Sequence, residues 1–167
     1  MGKATVLTAE NGTLTTAVLN LVHISTAAVN AAAAQVRVKR VEISQSGTTT
    51  LQMIRGRFAL QTAGTTVTAT AVTPVNISPL SGPASGLTGN TAPAGGTART
   101  GTFATVNTSP TYVAHHNFNF ANLNGYIWKP DPKEELWIPP STIWTVYFLA
   151  DPTTMTGWTI SVFLDED

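Results

Sequence analysis

Short stretches of two-residue alternation, closed again and again by glycine, proline and asparagine, constrain this chain more than any other feature. Near the C-terminus Trp158, Ile160, Val162 and Leu164 alternate with Thr159, Ser161 and Phe163. That period puts one set of side chains on each face of a β-strand. Ile54, Phe58 and Leu60 alternate in the same way with Arg55, Arg57 and Ala59, so the two arginines face outward. Gly56 falls in phase with the apolar set and marks a bend or a close approach of another backbone. Val36 and Val38 share one face, whereas Val41 and Ile43 share a face of opposite parity. One extra residue between Lys39 and Arg40, a β-bulge, accounts for that slip. His116, Phe118 and Phe120 form another one-sided set. Tyr126-Ile127-Trp128 and Leu136-Trp137-Ile138 are short strands separated by a stiff Lys129-Pro130-Asp131-Pro132 turn, and Ile143 to Leu149 is apolar on both faces. Thr13 to Thr26 fits a strand buried on both sides, although periodicity alone leaves a helix open there. Ala27 to Ala34 is the one good helix former, too short to stand alone.

Eight or nine such strands without intervening helices predict an all-β chain: a jelly-roll-type antiparallel β-sandwich, one domain over residues 1–167. Residues 78–101 are rich in Gly, Pro and Ala and read as a long irregular loop, which in a compact domain is functional or disordered. That loop and residues 1–12 are expected to be contact arms, with Leu80 and Leu87 as anchors in partner pockets; the alternative is an ordinary surface loop.

Only 11% of the residues are charged, against about 25% in an ordinary soluble domain. Thr, Asn, Ser, Gln and Gly must therefore cover most of the surface, and weak self-repulsion suits a surface that meets other protein. The formal net charge is zero, but its halves differ: before residue 101 there are seven basic and two acidic residues, and after it two basic and seven acidic. Folding either mixes these sets or leaves opposite patches that meet across subunits and set register. A nucleic-acid partner is not expected, because no basic excess with interleaved aromatics exists. No cysteine is present, and no run approaches the ~20 apolar residues that span a bilayer. The opening residues lack the apolar run of a signal peptide, so the chain is expected to be made in a cytoplasm.

The search for chemistry returns no catalytic residue, no metal ligand set and no cofactor motif. His115 and His116 are strand neighbours pointing to opposite faces and do not share a metal; His116 reads as a hydrogen-bonded core or interface residue. Glu134-Glu135 and Asp165-Glu166-Asp167 are adjacent acids rather than a pair facing across a cleft. They read as solvated, with a weak Ca²⁺ site as the alternative. The glycines at 95, 96 and 101 match neither phosphate-binding pattern. Of the four tryptophans, Trp128, Trp137, Trp144 and Trp158, core packing is the first reading, interface anchoring the second, and a sugar platform the third.

One resemblance stands beside this. Ile43-Ser44-Gln45-Ser46, then Val72-Thr73-Pro74 leading into the small-residue loop, then Asn124-Gly125-Tyr126-Ile127-Trp128 before Pro130-Asp131-Pro132-Lys133-Glu134-Glu135, and finally the strand out of Thr156-Gly157-Trp158 occur in a familiar order. Over residues 35–167 this order resembles small virion proteins of tailed bacteriophages that decorate or cement the head shell. The resemblance implies a jelly roll, a homotrimer, the major capsid protein as partner, a place on the outside of the capsid, and no enzymatic activity. Arg55, Arg57, Trp137, Leu80 and Leu87 are the interface candidates. The alternatives are a tail- or fibre-associated receptor- or glycan-binding module, a jelly-roll major shell protein and a cellular sugar-binding domain.

Overall fold

A computed structural model describes residues 3–14, 20–26, 36–62, 70–72, 74–77, 87, 96–100, 113–139, 142–148 and 155–166. The strands are β1 (Lys3–Leu14), β2 (Asn20–Thr26), β3 (Val36–Gln45), β4 (Met53–Thr62), β5 (Thr70–Val72), β6 (Val75–Asn76), β7 (Gly96–Thr100), β8 (Val113–Ala121), β9 (Tyr126–Trp128), β10 (Leu136–Ile138), β11 (Thr142–Phe148) and β12 (Met155–Glu166). Among the described residues there is no helix.

The strands form two antiparallel sheets. The front sheet has the order β10-β3-β12-β1-β6, with β9 also paired to β3; the back sheet has the order β5-β7-β2-β11-β4-β8. Together they make a β-sandwich whose core takes side chains from both inner faces. Val36, Val38, Val41 and Ile43 of β3, Trp158, Ile160, Val162 and Leu164 of β12, and Leu7 of β1 come from the front sheet. Val22 and Ile24 of β2, Ile54 and Phe58 of β4, and Trp144, Val146 and Phe148 of β11 meet them from the back. All are at most 3% exposed, and they form the inward face of each strand. Burying a side chain of this size stabilises by roughly 1.5–3 kcal/mol relative to leaving it in water.

Gly56 answers to the same packing. A Cβ built there stands 2.4 Å from Phe118 Cζ, so the ring occupies the space a side chain would need. The close approach is thus made by an aromatic ring, not by another backbone. Phe118 in turn stacks on Tyr126 at 4.4 Å, which ties the last strand of the back sheet to β9 in front. At the turn between β8 and β9, the buried Asn122 takes the place of a longer ladder. Its Oδ1 accepts from Gln52 N at 2.8 Å and its Nδ2 donates to Thr50 O at 3.1 Å.

Three expectations about these elements need correction. Glu166 is not solvated: it is buried and its carboxylate accepts from Thr5 Oγ1 at 2.7 Å. Residues 3–12 are not an arm: β1 lies inside the front sheet, paired along β12 from Lys3↔Glu166 to Leu14↔Met155. The end of the segment 78–101 is not irregular either, because β7 pairs with both β2 and β5. Leu80, the Ala-rich stretch 27–34 and most of 78–101 lie outside the described residues.

Candidate docking face

The site begins with a slip in register. On β3, Val38 pairs with Leu164 and Arg40 with Phe163, so Lys39 is the extra residue of a β-bulge. On the other side of β3, β10 covers Val36–Val38 and β9 covers Val41–Ile43. The chain between β9 and β10, residues 129–135, therefore crosses over the bulge. A bulge re-aims side chains, and here it turns two cations onto the outer face. The Lys39 ammonium meets the Glu135 carboxylate. Arg40 lays its guanidinium over the Phe163 ring, 3.7 Å from the centroid. Arg40 Nε is also 3.1 Å from Glu42 Oε1, but the N–H is not aimed at an acceptor, so this contact is Coulombic rather than a hydrogen bond. Lys39, Arg40, Glu135 and Phe163, together with Lys129, Pro130 and Asp165, line a cleft of about 700 Å³.

The cleft belongs to a wider surface, the outer face of the front sheet. Registers across the strands place Trp137 beside Arg37, Arg37 beside Asp165, and Asp165 beside Ala4. The next row runs Arg40, Phe163, Val6, Val75, and the next Ile127, Glu42, Ser161, Thr8. Ile127 is 69% exposed, Val75 64% and Trp137 48%, and Ile77 beyond β6 is also half-exposed. Large apolar side chains thus stand among paired charges of both signs. The opposite surface differs. Ala59, Ile143, Thr145 and His23 alternate with the core residues of the back sheet, yet they too are at most 5% exposed. The centre of the back sheet is buried on both faces, as the two-sided apolar pattern of β11 anticipates.

The interface candidates fall into different places. Trp137 lies on the open face. Arg55 is exposed on the back sheet, and Arg57 beside it holds its guanidinium 4.9 Å from the Tyr147 ring. The arginines and Trp137 are therefore on opposite sides of the sandwich and do not form one patch. Leu87 is not the exposed anchor expected: it is fully buried within this chain's own core. Trp144 and Trp158 are core residues, Trp128 is partly buried against the core, and only Trp137 stands out. The charge asymmetry is partly spent inside the chain, since Lys39–Glu135 joins the basic segment to the acidic one.

His116 packs between Phe58 (5.4 Å) and Trp128 (5.8 Å), with Nε2 2.8 Å from the Tyr126 hydroxyl. Burial lowers its pKa below 6.5 and raises that of Tyr126 above its ordinary value. Among the described residues no group of three or more metal-binding side chains forms. Ile127 and Val75 went unnoticed as surface anchors, although the parity of Tyr126-Ile127-Trp128 already points Ile127 away from its two aromatic neighbours. Comparison with family models, with characterised proteins and with solved structures finds no match.

Proposed function

We propose that this chain is a non-catalytic structural protein of a tailed-bacteriophage virion, held on the outside of the head shell by the outer face of its front sheet. In this reading the sandwich is a jelly roll. From β1 to β4 each long strand crosses to the other sheet, β8 then lies beside β4, and β9/β10, β11 and β12 cross again. A path of two interlocked Greek keys would run this way, which supports the reading. The major capsid protein is the partner, and self-association as a homotrimer accompanies the docking. Both come from the resemblance in the order of motifs.

The observation that carries the proposal is the contrast between the two outer faces. The back sheet is buried at its centre on both sides and exposes Met53 only at the start of β4, whereas the front sheet presents Trp137, Ile127 and Val75 to solvent in neighbouring rows among charges of both signs. An exposed tryptophan among aliphatic and charged neighbours is the composition of a protein-binding surface. Each docked copy bridging neighbouring capsomers adds binding free energy that must be lost before the shell opens, and several contacts per copy multiply the effect. The test is co-sedimentation with purified capsids of Trp137→Asp and Ile127→Asp variants. Their affinity is expected to fall by about 30-fold or more, the effect of losing about 2 kcal/mol at a hot spot. Arg55→Asp, on the other sheet, is expected to bind as wild type. Undiminished binding by both front-sheet variants contradicts the proposal.

A further inference from the structure

Among the described residues the sandwich has very unequal edges. The front sheet ends in the two-residue β6 on one side and the three-residue β9 and β10 on the other, and the back sheet begins with the three-residue β5. Short edge strands of this kind offer little to another chain. The remaining edge is β8, nine residues long, and among the described residues no strand pairs with its far side. Its sequence, VAHHNFNFA, holds no lysine, arginine, acid or proline, the residues that normally blunt an edge. Its one irregularity lies near its start, at the register shift opposite Phe58 and Ala59, so His116 to Ala121 is a regular strand.

The direction of the free main-chain groups is fixed. Asn122 N donates to Gln52 O, one step beyond the pair Met53↔Ala121. Alternation along an antiparallel ladder then turns the N–H and C=O groups of Phe118 and Phe120 toward β4, and those of Asn117 and Asn119 toward the open side. The Asn117 and Asn119 side chains are exposed, whereas Phe118 and Phe120 face the core.

We propose that β8 is a self-association edge that pairs antiparallel with β8 of a second copy, about a two-fold axis through Phe118. The occupant is a second copy because the register is self-complementary. Asn117 lies opposite Asn119 of the other copy and Asn119 opposite its Asn117, and each pair exchanges both N–H···O bonds. The facing side chains are amides that donate and accept to one another, and no like charges meet. The two back sheets then run on as one continuous sheet. This contact does not use the outer face of the front sheet, so it stands or falls separately from capsid docking. In a trimeric protein the same edge joins two trimers.

The test uses the full chain, which has no cysteine of its own. In an Asn117→Cys/Asn119→Cys variant, positions 117 and 119 of different copies lie about 5.5 Å apart at Cα in such a pair, within the ~4.4–6.8 Å a disulfide spans. Within one strand the two Cβ atoms stand about 7 Å apart, beyond the ~4.5 Å limit. Oxidised glutathione is expected to convert the paired thiols to an intermolecular disulfide, seen as a covalent dimer on a non-reducing gel. Light scattering is expected to give an even number of chains for the wild type. The Asn117→Lys/Asn119→Lys variant, which sets cations opposite cations, should halve that mass with unchanged circular dichroism, whereas Trp137→Asp should leave it alone. A monomeric or odd-numbered wild type, a mass unaffected by the lysines, or no cross-linked dimer overturns the proposal.

Discussion

His116 shows how a single residue links packing to solution behaviour. Its ring is held among Phe58, Trp128 and the Tyr126 hydroxyl, and desolvation disfavours the imidazolium. The Tyr126 contact itself survives protonation, because an imidazolium N–H can donate to the phenol oxygen; the cost lies in burying charge. The folded pKa is below the unfolded value of 6.5, so between the two values the unfolded chain binds more protons. Stability from this group is complete above pH 6.5 and is lost as pH falls through that window. Urea unfolding of wild type and His116→Gln across the window should show a pH dependence in the wild type that the variant lacks. Equal slopes would remove His116 from the account. The residue was legible as a bonded histidine on an apolar face, but its partner was not, since Tyr126 belongs to the opposite sheet.

At the scale of elements, the bulge in β3 is the feature on which the outer face depends. It was legible because a phase slip in apolar alternation is a local signal: Val36 and Val38 against Val41 and Ile43. Its consequence was not, because the crossing of residues 129–135 above it depends on β9 and β10 pairing on either side. The prediction separates the two roles of Lys39. Lys39→Ala removes a partly exposed ion pair and should cost about 0–1 kcal/mol in chemical denaturation. Deleting Lys39 leaves Val36, Val38, Val41 and Ile43 in one unbroken period, all still facing the core, so a cooperative unfolding transition should remain while the Lys39–Glu135 contact is lost. A deletion variant that does not fold would mean that the core depends on the bulge itself. β1 was misread for a related reason. Lys3 to Glu10 carries Val6 and Leu7 side by side with few bulky residues, and its strand character comes from the long alternating partner β12. Leu87 was misread because a single leucine among Gly, Pro and Ala gives no local sign that the core closes over it.

At the scale of the molecule, the fold class follows from period and punctuation, whereas the distinction between a covered and an open sheet does not. Alternation reports which residues share a face, and it is silent on what lies above that face. The two-sided apolar runs of β2 and β11 hinted at that cover, but burial of Ala59 in the alternating β4 had to come from the tertiary structure. That distinction underlies the proposed docking of the front sheet on a shell. Cryo-electron microscopy of the source virion tests it most directly. The account predicts this sandwich in the density outside the head shell, with Trp137, Ile127 and the β3 bulge turned toward capsid protein. A shell without it, density for it on the tail, or a copy docked by its back sheet would contradict the account.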